Sequence, residues 1–308
     1  MYSKIIVGYD GEKESRDALA MAAMLARAGG GELLLACTIR ADFPIAPGTD
    51  RFFTAQEDAA DQLLEDGAAS LPDGLVAETR MILGSSPAQA LHDLAEVESA
   101  DLLAVGSTRR GAAGRVLAGS TAERLLHGAP CAIAVAPRGY AEQAVDTPRV
   151  IAVGFNMLPE SRRALAYAKE LAEASSATLR LVAVQEEDLL FGYPDLPGEG
   201  GARVEIAIYD RKRLEEALGE AVDALPASLH AQGQVITGRP SEVLADEAAK
   251  GADLLVVGSR GYGPIRRVLM GGTSAKLMRS SPCPVLVVPR SVELGGAAGR
   301  DASAPASA

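Results

Sequence analysis

Short runs of aliphatic and β-branched residues alternate along this chain with longer stretches whose apolar positions recur at helical spacing. Residues 254–257 (Leu-Leu-Val-Val) are apolar throughout, as a strand buried on both faces requires. The first such run predicts a strand over 4–9, broken by Asp10-Gly11. A helix is predicted over 14–28, stopped by Gly29-Gly30-Gly31. The pattern then gives a strand over 33–38, a helix over 53–69, a strand over 75–82 and a helix over 87–98. Pro87 suits that helix start. A strand over 102–105, a helix over 119–127 and a strand over 133–136 complete the series. The same order returns with strands over 150–153, 179–184, 229–236, 254–257 and 285–288. Helices fall between them over 160–174, 203–225, 240–250 and from Gly271 onward.

Strands alternating with helices predict an α/β protein with right-handed parallel crossovers. The expected fold class is two tandem, doubly wound, five-stranded parallel sheets of Rossmann-like type. The expected units are residues 1–138 and 148–290, joined by a linker over 139–147. Residues 291–308 carry Gly, Ala, Ser, Pro and a few charges, a composition that cannot bury a core and predicts a disordered tail. The fifth strand of each half would be an edge, and residues 132–136 and 285–288 carry neither charge nor mid-strand proline. An unprotected edge must be covered or paired. The two fifth strands are therefore expected to pair with each other about a pseudo-twofold axis.

The repeat extends to the loops. Val256-Val257-Gly258-Ser259-Arg260-Gly261 is followed by nine residues, by Gly271-Gly272-Thr273-Ser274, and by Pro282-Cys283-Pro284-Val285. Earlier, Ala104-Val105-Gly106-Ser107-Thr108-Arg109 precedes nine residues, then Gly119-Ser120-Thr121 and Pro130-Cys131-Ala132. Glycines allow tight turns and close backbone approach. A helix start offers unpaired N–H groups that suit phosphate. In doubly wound sheets, ligands sit at the carboxyl ends of the strands where strand order reverses. A reversal between strands one and four brings together the loops that hold Asp10 and Gly106 in one half, and Asn156 and Gly258 in the other.

Composition narrows the partners. With 308 residues the chain is long enough for two domains. A net charge of −11 and 4% aromatic content argue against a nucleic-acid surface. The apolar runs are far shorter than a membrane span. The chain enters its first strand without a signal peptide. Cytoplasmic residence is the expectation. Three cysteines without close spacing fit neither a disulfide framework nor a zinc site, and the three histidines share no metal-ligand spacing. Nucleophile-elbow, Walker and dinucleotide motifs are missing, which disfavours a hydrolase, a fast NTPase and a dehydrogenase.

The spacing of Gly258, Gly261 and Gly271, with Val7-Gly8-Tyr9-Asp10 and the Pro-Cys-Pro-Val before the last strand, resembles the nucleotide signature of the universal stress proteins. The chain is similar to a tandem member of that family, whose fold is adenine nucleotide alpha hydrolase-like. Members that keep the signature bind ATP, and some hydrolyse it slowly; others lack the signature and do not bind it. The resemblance implies nucleotide contacts at Asp10, Gly106, Gly119 and Ser120 in the first half. In the second half it implies contacts at Asn156, Gly258, Gly261, Gly271, Gly272, Thr273 and Ser274. Arg109 stands where the first half's second glycine would be, Gly272 replaces the hydroxyl residue, and Asn156 replaces the Asp. The second half then reads as the better phosphate binder and the first as the better adenosine binder. Arg109, Arg110, Arg115, Arg239, Arg260, Arg266 and Arg267 cluster near the loops, a local match for a polyphosphate.

Three functions follow from the resemblance. The first is a stress-response signalling module with ATP, with or without Mg²⁺, as its ligand. The second is a slow Mg-dependent ATPase; no catalytic residue is assigned, and Asp10 is the one clear acidic candidate. The third is a nucleotide-free scaffold with degenerate sites and an unknown protein partner. A homodimer is a further expectation; nucleic acid, membrane and metal partners are not expected.

Overall fold

The computed structural model describes residues 3–39, 50–108, 115–128, 130–186, 200–259 and 272–289. The first half runs β1 (Lys4–Gly8), α1 (Lys13–Gly29), β2 (Glu32–Ile39), α2 (Asp50–Ala69), β3 (Ala77–Leu83), α3 (Pro87–Val97), β4 (Leu102–Gly106), α4 (Ser120–Leu126) and β5 (Ala132–Ala136). A 3₁₀ turn (Tyr140–Glu142) leads to the second half. There follow β6 (Val150–Phe155), α5 (Pro159–Ser175), β7 (Thr178–Glu186), α6 (Gly200–Asp223), β8 (Ala231–Gly238), α7 (Pro240–Ala249), β9 (Leu254–Gly258), α8 (Gly272–Leu277) and β10 (Val285–Val288).

Local chemistry explains the boundaries. Pro87, Pro159 and Pro240 each sit in a first helical turn, where the missing N–H costs nothing. Gly30 ends α1 in the left-handed region at φ 74°, and its N–H donates to the Ala26 carbonyl. The strands expected from 75 and 229 begin two residues later, at Ala77 and Ala231. Leu75 and Leu229 belong instead to turns, donating to the carbonyls of Pro72 and Pro226. An apolar residue in a turn can bury itself as well as one in a strand, so hydropathy alone cannot separate the two.

All ten strands form one sheet in the order β3-β2-β1-β4-β5-β10-β9-β6-β7-β8. Pairing is parallel within each half. At the centre β5 and β10 run antiparallel, with Val135 opposite Val285, Ala134 opposite Leu286 and Ile133 opposite Val287. The two fifth strands thus cover each other's edge, as expected, and the two doubly wound units become one sheet. Alternate residues face opposite layers: Ile5 and Val7 enter the core beneath α1, α2, α5 and α6, while Ile6 enters the core beneath α3, α4, α7 and α8. Both cores run across the seam without a break.

Two acidic devices fasten the halves. Asp101 accepts the N–H groups of Ser3 and Lys4 at 2.6 and 3.0 Å, and Asp253 accepts those of Arg149 and Val150 at 2.8 and 3.0 Å. These carboxylates hold the first residues of β1 and β6. Asp17, 2% exposed on α1, accepts the N–H groups of Gly139 and Ala141 at 2.7 and 2.8 Å. The segment expected to be a plain linker is therefore tied to α1 at its start. Tyr140 is buried there and its hydroxyl lies 3.1 Å from the Met24 sulfur.

Candidate functional site

Sheet order reverses between β1 and β4 in the first half and between β6 and β9 in the second. A cavity opens at each reversal, at the carboxyl ends of the strands, as the general rule for such sheets requires. The first-half cavity measures about 580 Å³ and is lined by Asp10, Gly106, Gly119 and Ser120 together. The second-half cavity measures about 110 Å³ and is lined by Asn156, Gly258, Thr273 and Ser274. Gly272 opens α8 beside it. Gly261 and Gly271, with Arg109, Arg110, Arg260, Arg266 and Arg267, lie outside the described residues. So do most of the proline- and glycine-containing loops after β2 and β7, and the tail from 291.

Asp10 and Asn156 do the same local work. The Asp10 Oδ1 accepts the Glu12 N–H at 3.1 Å, and the Asn156 Oδ1 accepts the Leu158 N–H at 3.0 Å. Each side chain thereby shapes the turn that starts the following helix. The exchange of Asp for Asn keeps that bond and removes a charge. Asp10 is exposed at the cavity mouth.

The glycines divide into two kinds. A Cβ on Gly106 would stand 2.0 Å from the Glu14 carbonyl oxygen, and one on Gly258 would stand 2.5 Å from the Glu160 carbonyl oxygen. These two glycines admit the first turn of α1 or α5 against the strand end, so packing alone demands them. Gly119 is different. It caps α4 with extended backbone at φ −80°, and an added Cβ would meet nothing nearer than 3.6 Å. An added Cβ on Gly272 would meet nothing within 4 Å among the described residues. Among the described residues, no packing contact demands a glycine at 119 or 272.

In the first half the loop after β4 folds back on itself. Ser107, 5% exposed, accepts the Leu117 N–H on its hydroxyl at 2.6 Å, and Thr108 donates to the Leu117 carbonyl. This brings Gly119, Ser120 and Thr121 to the cavity wall. The same loop rests on the other half: Val116 donates to Ser281 at 2.8 Å and Ala118 to Met278 at 2.7 Å. Arg115 reaches toward the Ser280 carbonyl, and Arg239 pairs with Glu242 at 3.3 Å. Neither guanidinium is among the residues that line these two cavities.

Sequence reasoning missed the third wall. Ala36 and Thr38, at the carboxyl end of β2, line the first cavity, and Val182 and Val184 of β7 line the second. The signal was the strand order: β2 flanks β1 on the side away from β4. Glu14 also lines the first cavity and stands 3.9 Å from Arg138. The cysteines are buried, as small core residues. Burial pushes the Cys131 and Cys283 thiols up to about 12, and burial together with the nearby Asp10 charge raises Cys37.

A family model described as the universal stress protein family matches residues 1–137 and 148–289. The chain belongs to the universal stress protein family. A universal stress protein of Mycobacterium tuberculosis is 29% identical over 299 residues, covering 92% of this chain and 99% of that protein. One from Mycolicibacterium smegmatis is 31% identical over 293 residues, covering 92% of this chain and 96% of that protein. Among solved structures, a universal stress protein from Archaeoglobus fulgidus matches with a TM-score of 0.68 at 21% identity, covering 93% of this chain and 98% of that one. That likeness supports the fold of this universal stress protein. Among the described residues, no helix is long and apolar enough to cross a membrane.

Proposed function

We propose that the first-half cavity of this universal stress protein binds an adenine nucleotide, and that occupancy sets the state of a stress-response signalling module. The carrying observation is the cavity of about 580 Å³ at the β1–β4 reversal, into which Asp10, Gly106, Gly119 and Ser120 converge. Its size falls in the usual range of about 300–1,000 Å³ for small-molecule sites. Asp10 is placed to meet ribose or adenine hydrogen-bond donors. Ser120, Thr121 and the backbone beside Gly119 supply donors for phosphate. Gly119 supports this reading because packing among the described residues gives no reason for it. Mg²⁺ would enter with the phosphates.

The proposal takes residues 1–138 and 148–290 as the two units and the cytoplasm as the compartment, in keeping with three buried, unpaired cysteines. The fifth strands pair within the chain, so a homodimer would use another surface.

Calorimetric titration with ATP, with and without Mg²⁺, tests the reading. Micromolar binding that weakens at least tenfold in Asp10→Ala and in Gly119→Val supports it, given unchanged unfolding midpoints. No binding at millimolar ATP in calorimetry and in equilibrium dialysis would sink it and favour the nucleotide-free scaffold.

A further inference from the structure

The two halves share a fold and a signature, yet the second-half cavity is the smaller, about 110 against 580 Å³. The strand register locates part of the cause. Gly8 of β1 pairs with Ala36, and Gly154 of β6 pairs with Val182. Ala36 and Val182 therefore hold the same place beside the cavity floor, and Thr38 and Val184 hold the same place two residues on, along the same face. Both pairs line their cavities. Val182 carries two γ-methyl carbons where the Ala36 side chain ends at Cβ, and it is 1% exposed, so those carbons are packed inward. Val184 puts a methyl where Thr38 offers a hydroxyl.

Two more exchanges act at the mouth. Leu158 precedes α5 as Glu12 precedes α1, and the Leu158 side chain joins the cavity lining. Asn156 stands for Asp10 without its charge. Each change replaces space, charge or a hydrogen-bonding group with hydrocarbon or a neutral amide. An apolar wall without partners leaves the polar groups of a nucleotide unpaired, at a cost comparable to a lost hydrogen bond for each one.

We infer that the second half is a closed site, shut by Val182, Val184 and Leu158, and that the chain binds one adenine nucleotide, in the first half. This rests on the nucleotide reading of the first cavity. The second half then serves as a rigid support. It holds the first site's loop through the Met278 and Ser281 carbonyls, which accept the Ala118 and Val116 amides. The shared glycine spacing of the second half persists in part because packing requires Gly258.

Stoichiometry decides the matter. Calorimetry and equilibrium dialysis with Mg-ATP should give one nucleotide per chain for the natural protein. The variant Val182→Ala with Val184→Thr, Asn156→Asp and Leu158→Glu should gain a second. Thr38→Val, which keeps the side-chain shape, should weaken the single site at least tenfold; Ala36→Val should abolish it. The unfolding midpoint of each variant shows that the fold is retained, and Thr38→Val carries the test if Ala36→Val does not fold. Two nucleotides in the natural protein would overturn this inference and leave the first-half reading standing. One nucleotide that survives Thr38→Val undiminished would move the site to the second half and overturn it. A folded four-position variant that stays at one would overturn the role given to these walls. No nucleotide at all would overturn the nucleotide reading itself, and this inference with it.

Discussion

Gly106 lies so close beneath Glu14 that a Cβ there would stand 2.0 Å from the Glu14 carbonyl oxygen. The contact is backbone to backbone, so no side chain can turn away to relieve it. Gly106→Ala must push α1 off the end of β4, and overpacking of this kind costs about 1–3 kcal/mol, occasionally more. Urea unfolding of the variant should show that loss. Gly272→Ala, whose added Cβ meets nothing within 4 Å among the described residues, should stay within about 1 kcal/mol of the natural protein. Equal effects at the two positions would refute the division of the glycines into packing and non-packing kinds. Loss of ligand binding in a Gly106 or Gly258 variant would accordingly report on folding before it reported on the site.

Strand and helix order were legible because the forces that set them are local. Leu254 to Val257 can only be a buried strand in a chain of this kind, and Pro87 and Gly30 mark helix ends by backbone chemistry. The antiparallel seam was legible because Ala132 to Ala136 and Val285 to Val288 carry nothing that protects an edge. The position of the cavities followed from strand order. Their sizes did not, because the effect of Val182 against Ala36 appears only when register sets both beside a glycine. Asp17 was hidden for a similar reason: its partners, the amides of Gly139 and Ala141, lie more than 120 positions away. The glycine spacing hid a second demand: Gly106 and Gly258 each admit the first turn of a neighbouring helix, and only the packed structure shows it.

Asp17 should give the protein a measurable acid-side dependence. Burial raises its pKa above the ordinary 3.8, against the opposing pull of the two linker amides. The unfolded chain therefore releases this proton at lower pH than the folded one. Between the two values the folded state binds more protons, so this group's contribution to stability is full below 3.8 and is lost as pH rises through the folded value. Asp17→Asn should remove that slope from a plot of unfolding free energy against pH. It should also cost about 1–3 kcal/mol at neutral pH, because an amide offers one acceptor where two N–H groups need partners. An unchanged slope would show that Asp17 titrates alike in both states.

Leu286 faces Ala134 across the seam and is fully buried. Leu286→Ala should lower stability by about 2–5 kcal/mol, the range for removing a large core side chain. The exposed pair of Arg279 with Glu123, also between the halves, should matter little: Glu123→Ala should leave the unfolding midpoint nearly where it was. If Glu123→Ala proved the more damaging of the two, the halves would be held by surface charge and not by the continuous core.

The thiols offer a probe of whether that core opens. Only the thiolate attacks a disulfide reagent, and burial pushes the Cys131 and Cys283 thiols up to about 12, so almost none is ionised at pH 8. Both also lie beneath protein atoms, beside the strands that form the seam. Cys37 is buried on β2, which β1 and β4 separate from the seam, and the Asp10 carboxylate opposes its ionisation further. An aromatic disulfide reagent at pH 8 should therefore find almost no reactive sulfur in the native protein and all three in urea. The order of appearance is informative. Cys37 should react first, since it is 9% exposed against 1% and 6% for the others and sits next to the first-half cavity wall. Nucleotide at saturating concentration should slow Cys37 and leave the other two unchanged. Early reaction of Cys131 or Cys283, below the unfolding midpoint, would mean that β5 and β10 part before either half unfolds.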